Sequence, residues 1–258
     1  MAVDLNDKVV IITGASEGIG RESAKLFAEE GSSVVLAARR RNLLAETLES
    51  LPGKKDKHSF YPTDISEDDD VKRLVSEAIK KYSRIDVLVN NAAVSYVGRV
   101  SDMDPEEAMN AININLMGTI RMTHEVLPFM IEQKSGHIIN VSSIIGKRGI
   151  PYRSVYCASK FGLEGFMESL RMEVAKYNIA VSMVRPPSVR TNFSKKIRRG
   201  SDVIHYELDK LDPVTVAKVV VATAKSPRRD VNVGFLAKSF LFFSGVCPVF
   251  FDRLMREK

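Results

Sequence analysis

The sequence has few of the residues that build disulfide frameworks and metal sites. Among its 258 residues are two cysteines and four dispersed histidines. Cys157 and Cys247 give neither a disulfide framework nor the spacing of a metal site. Because disulfides form in oxidising compartments, this cysteine usage predicts a cytoplasmic protein, and the dispersed histidines predict no metal site.

Long apolar runs and targeting segments are also missing. No uninterrupted apolar run approaches the ~20 residues that a membrane-spanning helix needs. The polar N-terminal residues 1–8 predict no signal peptide. There is no internal repeat, low-complexity segment or linker. A chain of this length can bury a substantial core, so we expect one domain across residues 1–258.

The charge is modest and spread along the chain. The formal net charge is +6, and a composition of 45% apolar and 27% charged residues is ordinary for a soluble globular protein. Basic residues are interspersed with acidic ones except at 39–41 and 195–199. A nucleic-acid-binding protein concentrates basic charge on one face, so we expect no nucleic-acid partner.

Short apolar, β-branched runs alternate with helical patterns along the whole chain. Alternation of this kind predicts an α/β protein, in which right-handed crossovers join the strands of a parallel sheet. One long helical region is predicted over 105–133. The runs predicted as strands are 8–14, 32–38, 58–64, 85–93, 136–142, 179–186 and 230–235.

Three glycines separate the first predicted strand from the first helix. Gly14, Gly18 and Gly20 permit a tight turn and a close approach of the backbone to a pyrophosphate. The helix that follows presents free N–H groups and the positive end of its dipole. The spacing is TGxxxGxG, and its position between strand and helix favours a dinucleotide site over a glycine-rich turn without a ligand.

The end of the second strand indicates which dinucleotide binds. An NAD site usually carries an acidic residue about 20 positions after the glycines, where it bonds the ribose hydroxyls. Here that position holds Arg39, and no carboxylate follows before Glu46. An arginine fork suits a 2′-phosphate, so we predict NADP(H), with Arg40 as a second contact. Arg41 is interpreted as the solvated start of a helix.

A tyrosine and a lysine stand four residues apart on a later predicted helix. Ser143 ends an apolar strand, Ser154 is predicted to cap the helix, and Tyr156 and Lys160 share one helix face. A free phenol has a pKa of about 10, and a nearby cation favours its charged form. The pair can therefore transfer a proton, although the same spacing also occurs in ordinary surface pairs.

Five features in this order resemble the classical short-chain dehydrogenases/reductases over about residues 8–234: TGASEGIG, NNAA, the Asn-Leu-x-Gly stretch, a serine and YxxxK. The resemblance implies a doubly wound, Rossmann-type sheet of about seven strands with helices on both faces. It further implies that Tyr156 is the catalytic acid/base and that Ser143 polarises the substrate oxygen. Lys160 would lower the pKa of the tyrosine and bind the nicotinamide ribose.

The same resemblance assigns an asparagine and a set of cofactor contacts. Asn115 would kink its helix and hold a water in a proton relay; it is preferred to Asn110 and Asn113 because leucine and glycine follow it as in the family. Asp64 would contact the adenine amino group, and Thr191 the carboxamide. The implied cofactor-binding residues are Gly14, Ser16, Gly18, Ile19, Gly20, Arg39, Arg40, Asp64, Ile65, Asn91, Ala92, Tyr156, Lys160, Pro186 and Thr191.

Two positions depart from the family pattern. Ala93 replaces the last glycine of NNAG, and Pro187 replaces the glycine that usually follows Pro186. Glycine there lets the chain pass close to the nicotinamide, whereas proline fixes φ and removes an N–H group. This second change concerns the local geometry more than the reaction.

The reaction that follows from these residues is hydride transfer between NADP(H) and a ketone or aldehyde, or the corresponding alcohol. The main alternative is a non-catalytic NADP(H)-binding regulator on the same fold. Such a regulator would be recognised by the loss of the tyrosine or the lysine. An enzyme of epimerisation or dehydration is a third possibility, disfavoured by the lack of a further substrate domain. By analogy with the family, we expect a homodimer or homotetramer.

Two segments concern the substrate and possible partners. Residues 188–212 are predicted to form a substrate lid, and its basic cluster either meets an anionic substrate or is a solvated helix face. The extension 235–258 carries no charge from 239 to 251 and is interrupted by Gly245 and Pro248. We expect it first to pack on a partner subunit or line the substrate entrance, and second to contact a membrane peripherally. An apolar small-molecule substrate is predicted.

Overall fold

The parallel sheet predicted from the sequence is present in the structure, a computed structural model that describes residues 2–191, 193, 198–199 and 211–255. The strands are β1 (Val9–Thr13), β2 (Ser33–Ala38), β3 (Ser59–Pro62), β4 (Val87–Asn90), β5 (Tyr96–Val97), β6 (Gly136–Val141), β7 (Ile179–Arg185), β8 (Arg198–Arg199) and β9 (Asp230–Asn232). In this part of the chain, seven strands form one parallel sheet in the order β3-β2-β1-β4-β6-β7-β9, and β5 pairs with β8. The strand order reverses between β1 and β4, which is where such sheets bind ligands.

Helices cover both faces of this sheet. They are α1 (Gly18–Glu29), α2 (Arg41–Glu49), α3 (Asp68–Tyr82), α4 (Pro105–Ile112), α5 (Thr119–Gln133), α6 (Ser154–Val174), α7 (Pro213–Lys225), α8 (Phe235–Val246) and α9 (Pro248–Met255). Successive residues of a strand point to opposite faces, so Val9 and Ile11 join the core under α3, α5 and α6. Val10 and Ile12 join the core under α1 and α7. The predicted sheet with helices on both faces is confirmed.

The predicted helical region 105–133 is interrupted. A π-helical turn, Asn113–Gly118, separates α4 from α5. Gly118 packs against Ile65, and a Cβ at this glycine would lie 2.7 Å from Ile65 Cγ1. The Thr119 hydroxyl donates to the Asn115 carbonyl oxygen at 3.1 Å. The interruption therefore lies where the helix must pass close to the segment after β3, as π-bulges often do at functional positions.

Ser154 does not cap α6, so that prediction was wrong. The helix begins at Ser154 itself, and the residue before it is Arg153, which has no capping side-chain bond. The Arg153 carbonyl oxygen accepts the N–H of Cys157 at 2.7 Å. Because the cap is the residue whose carbonyl accepts the first intrahelical bond, Arg153 holds the position expected for Ser154.

The C-terminal extension forms α8 and α9. The Arg148 guanidinium donates to the Asp252 carboxylate and to the Pro248 carbonyl oxygen, and it lies 5.1 Å from the centre of the Phe251 ring. Within the described residues, no helix combines the length and the apolar character needed to cross a bilayer. The large apolar side chains that α8 and α9 expose are Phe235, Phe242, Phe243, Val246, Val249, Phe250 and Leu254.

A buried ion-pair cluster joins α6 to the end of the sheet. Arg185 donates to both carboxylate oxygens of Glu164, at 2.7 and 2.5 Å, and to Asp230 at 2.5 Å. The Lys147 ammonium lies 3.4 Å from Glu164. Arg185 and Glu164 are both buried, and a buried charge is tolerated only when it is paired. The cluster fixes α6 relative to β7 and β9.

Arg185→Met should lower the free energy of unfolding by about 3 kcal/mol, because it leaves Glu164 without its bidentate partner. Arg229→Met is the matched control: Arg229 pairs with Glu168 and Asp230 but is largely exposed, so its loss should cost less than about 1 kcal/mol. Urea denaturation of both variants measures the difference. Equal decreases in the free energy of unfolding would show that the buried ion pairs stabilise the fold no more than the exposed pairs of Arg229.

Candidate active site

The glycine turn lies at the carboxyl end of β1. Gly14 and Gly18 have φ values of 65° and 58°, which a residue with a side chain rarely adopts. A Cβ at Gly20 would collide with the Gly14 carbonyl oxygen, and one at Gly18 would lie 2.9 Å from Thr191 Cγ2. The turn is therefore closed tightly, with Thr191 packed against it.

The NNAA loop after β4 is bonded to this turn. The Asn91 side-chain amide donates to the carbonyl oxygens of Thr13 and Gly14, at 3.0 and 3.3 Å. The backbone N–H groups of Asn91 and Ala92 donate to the Thr13 hydroxyl oxygen, at 3.0 and 3.1 Å. The first turn of α1 has no side-chain cap and no acidic residue. Its N–H groups thus suit an anion such as a pyrophosphate.

The two arginines after β2 have different surroundings. Arg40 donates to the Glu17 carboxylate at 2.6 Å and to the Ser16 hydroxyl at 3.2 Å. Arg39 is 58% exposed, and its nearest carboxylate in an ion pair is Asp64, at 3.8 Å. Glu17 was not weighed from the sequence, although it stands inside the glycine motif. Glu17 offsets the charge of Arg40, whereas the guanidinium of Arg39 is mostly exposed to solvent.

Asp64 and Ile65 follow β3 at the same edge of the sheet. The Asp64 carboxylate accepts the backbone N–H of Ser66 at 3.0 Å and its hydroxyl at 2.6 Å. Ile65 is buried and contacts Gly118. Of this pair, Asp64 lies beside Arg39, with 3.8 Å between the guanidinium and the carboxylate.

Tyr156 and Lys160 are buried together on α6. Lys160 is 2% exposed, its ammonium donates to the Val141 carbonyl oxygen at 3.2 Å, and it lies 5.6 Å from the centre of the Tyr156 ring. Ser143 follows β6, and its hydroxyl oxygen accepts the N–H of Ile145 at 3.4 Å. Because Lys160 bonds the last residue of β6, the pair lies at the strand end after which Ser143 stands.

Burial shifts the pKa values of both groups in the direction that favours their uncharged forms. It raises the pKa of Tyr156 well above its usual range, and the Arg153 guanidinium opposes this rise. Burial lowers the pKa of Lys160 to about 8, which the nearby Glu164 carboxylate opposes. Sequence reasoning missed Arg153 and Glu164. Their helical spacing of three before the tyrosine and four after the lysine was the available signal.

Asn115 connects three parts of the site. Its side-chain oxygen accepts the N–H of Val94 at 2.8 Å, and its side-chain amide donates to the Val94 carbonyl oxygen at 2.9 Å and to the Ser159 hydroxyl at 3.1 Å. The side chain thus ties the loop after β4 to α6. Asn113 instead accepts a bond from Arg121 at 2.9 Å. Asn115 therefore lies inside the site and Asn113 beside it.

Apolar groups surround the first turn of α6. The Phe193 ring packs edge-on against Tyr156, with 6.1 Å between the ring centres. A cavity of about 290 Å³ adjoins this turn. Its lining includes Ile150, Cys157, Phe251 and Met255. Most of the predicted lid, residues 192, 194–197 and 200–210, lies outside the described residues.

The Pro186-Pro187 pair keeps the segment after β7 in contact with the segment after β6. The Pro186 carbonyl oxygen accepts the N–H of Ile144 at 3.2 Å. Ile144 is the residue after Ser143. The two segments that carry Ser143 and Thr191 are therefore bonded to each other close to the point where proline replaces glycine.

Comparison with known proteins agrees with this arrangement. A family model described as short chain dehydrogenase matches residues 8–202. A dehydrogenase/reductase SDR family member 7B from Danio rerio is 33% identical over 99% of this chain and 86% of its own.

Two solved structures are also similar. A crystal structure of actinorhodin polyketide ketoreductase with NADPH has 29% identity and a TM-score of 0.79, and covers 90% of this chain and 97% of that one. A short chain dehydrogenase/reductase from Burkholderia phymatum in complex with NAD has 22% identity and a TM-score of 0.86, and covers 99% of each chain. At that identity the second likeness concerns the fold. With the family model and the Danio rerio relative, the buried Tyr156–Lys160 pair beside a glycine turn identifies the chain as a member of the short-chain dehydrogenase/reductase family of oxidoreductases.

Proposed function

We propose that the protein is an NADP(H)-dependent oxidoreductase that interconverts a ketone or aldehyde and an alcohol. The observation that carries this proposal is the burial of Lys160 against Tyr156 at the sheet edge that also holds the glycine turn. Burying an ammonium is unfavourable, and ionisable groups with perturbed pKa values beside one another are typical of acid/base sites. This favours the enzyme over the regulator.

The residues present fit a dinucleotide. Gly14, Gly18 and the uncapped start of α1 suit its pyrophosphate, and Arg39 suits a 2′-phosphate. When bound, the cofactor supplies or accepts the hydride. The other residues assigned to it are Ser16, Ile19, Gly20, Arg40, Asp64, Ile65, Asn91, Ala92, Pro186 and Thr191.

The chain's own residues handle the proton and the oxygen. In reduction the Tyr156 hydroxyl gives a proton to the substrate oxygen, and in oxidation the phenolate takes it back. Below its pKa of about 8, Lys160 supplies a cation that favours the phenolate, and the Ser143 hydroxyl donates to the oxygen on which charge develops. The Asn115 amide holds the loop after β4 in place beside them. Together these four residues form the proposed catalytic set.

The surroundings of Tyr156 favour an apolar substrate. The Phe193 ring meets the tyrosine, and Phe251 and Met255 line the neighbouring cavity. Apolar and aromatic walls with a few placed polar groups are typical of sites for small molecules.

Tyr156→Phe should lower kcat at least about 100-fold, because it removes the hydroxyl that transfers the proton. NADPH oxidation would be followed with steroids, β-ketoacyl thioesters, ketosphingoid bases and small aldehydes. Tyr177→Phe, three residues beyond the end of α6, is the matched control and should keep full activity. Undiminished turnover in Tyr156→Phe would exclude the proposed role.

Arg39→Ala should weaken NADPH binding relative to NADH by about tenfold, the contribution of one charge-assisted hydrogen bond. Arg41→Ala is the control, because Arg41 lies over the Phe60 ring and is not assigned to the nucleotide. Fluorescence titration with both cofactors measures the ratio. A preference for NADH in the wild-type protein would contradict the assignment of Arg39 and leave the proton chemistry intact.

For the exposed face of α8 and α9, we propose contact with a second copy of the chain in a homodimer or homotetramer. The carboxyl-terminal helices expose many large apolar side chains, Phe242, Phe243 and Phe250 among them. Apolar patches of this kind mark interaction surfaces. Peripheral contact with a lipid surface is the second possibility, since Lys238 precedes the uncharged stretch and Arg253 follows it after Asp252.

Replacing Phe242 and Phe243 together with serine should lower the assembled mass in light scattering, because it removes apolar area from this face. Val100→Ser, which also removes an exposed apolar side chain, is the control outside the extension. A monomeric wild-type protein that co-sediments with anionic vesicles would favour the lipid contact instead. A monomeric wild-type protein that does not co-sediment with vesicles would contradict both proposals.

A further inference from the structure

Arg153 bridges the two sides of the active site. It directly precedes α6 and lies three residues, about one helical turn, before Tyr156. Its guanidinium donates to the Ser95 hydroxyl oxygen at 2.9 Å. Ser95 is buried and follows Val94, which Asn115 holds. The arginine is therefore tethered to the same loop that the asparagine fixes.

The charged and titratable groups that face Tyr156 are few. In the part of the chain that the structure describes, these groups are Arg153, directly before α6, and Cys157 and Lys160 on α6, while Phe193 presents only a ring edge. The loop after β4 presents the neutral Ser95 to the arginine. The Lys160 ammonium lies over the tyrosine ring and is bonded to the Val141 carbonyl oxygen. Arg153 is thus a second cation beside the phenol.

The two cations behave differently as the pH rises. Burial lowers the pKa of Lys160 to about 8, so its charge is lost near that pH before a cofactor binds. Burial also lowers the pKa of Arg153, but a guanidinium starts above 12 and stays charged. Arg153 therefore provides a permanent positive charge beside Tyr156, where Lys160 provides one that titrates.

We propose that Arg153 is a positioning residue for Tyr156, whose guanidinium, tethered by Ser95, favours the phenolate and sets the pH at which the tyrosine transfers its proton. The proposal rests on the proposed oxidoreductase function. Arg153 acts through the tyrosine and is not assigned a contact with the reacting atoms. It supplies a positive charge beside the tyrosine in addition to that of Lys160.

The sign of the expected pH effect follows from the proton balance. Alcohol oxidation needs the phenolate, so its rate rises as the pH passes the pKa of Tyr156. Carbonyl reduction needs the phenol, so its rate falls through the same pKa. Removing the charge of Arg153 disfavours the phenolate and raises this pKa, so both midpoints move to higher pH. Loss of a mere structural link would lower both rates and leave the midpoints in place.

The test is a pair of pH profiles of kcat/KM, one for each direction, with a substrate from the panel above and saturating nucleotide. Arg153→Gln keeps a donor for Ser95 but loses the charge, and should move both midpoints upward by about one pH unit. Arg153→Lys keeps the charge, and its midpoints should lie close to those of the wild-type protein. Arg99→Gln is the matched control: Arg99 lies over the Tyr152 ring, and its loss should leave the midpoints unchanged.

Each outcome decides the proposal. Unmoved midpoints in Arg153→Gln, whether turnover is kept or lowered, would overturn the role of Arg153 alone. If circular dichroism shows that Arg153→Gln is unfolded, Arg153→Met provides the neutral variant and Arg153→Lys the charged one, and equal midpoints in these two would overturn it likewise. A folded wild-type protein that turns over nothing in the panel with either nucleotide would overturn the proposed function and this inference with it.

Discussion

The position of α6 on the sheet depends on the burial of the Lys160 ammonium, which by itself is energetically unfavourable. A charge that is 2% exposed needs an acceptor, and the Val141 carbonyl oxygen at the end of β6 provides it at 3.2 Å. Glu164, one turn further along α6, provides the opposite charge and is itself held by Arg185 at the end of β7. Sliding α6 by one residue would separate all these groups. The requirement to satisfy a lysine thus fixes the helix on the sheet.

The same burial separates the pKa values of Tyr156 and Lys160. In water a phenol and an ammonium lose their protons at nearly the same pH, about 10. Burial raises the pKa of Tyr156 and lowers that of Lys160 to about 8, so the protein separates them through desolvation alone. Neighbouring charges then act against this effect, Arg153 at the tyrosine and Glu164 at the lysine. Groups whose pKa values are moved in this way are typical of acid/base sites.

The parts that the sequence predicts well are those determined by neighbouring residues. The buried strands follow from apolar runs, the nucleotide turn from Gly14 and Gly18, and the Tyr156–Lys160 pair from helical spacing. Their geometry needs little information from the rest of the chain. The parallel sheet with right-handed crossovers follows from the alternation of strands and helices, whereas the helices on both faces follow from the resemblance to the family.

The parts that it predicts poorly depend on residues far apart in the chain. Arg153 meets Ser95 across 58 positions, and Arg40 meets Glu17 across 23. Neither pairing has a local signal, because an arginine can reach many carboxylates and hydroxyls. The π-helical turn at Asn113–Gly118 depends on how closely Gly118 passes Ile65. Such details follow only once the fold has brought the segments together.

The segment after Ser143 connects the ion-pair cluster to the C-terminal extension. Lys147 in this segment pairs with Glu164 on α6, while the adjacent Arg148 pairs with Asp252 on α9. The segment is therefore held on one side by the helix that carries the tyrosine and on the other by the extension. A displacement of α9 that breaks the Arg148 contacts would act on the few residues that follow the serine. Whatever covers the outer face of α8 and α9 thus binds to an element that is attached, through two successive side chains, to the active site.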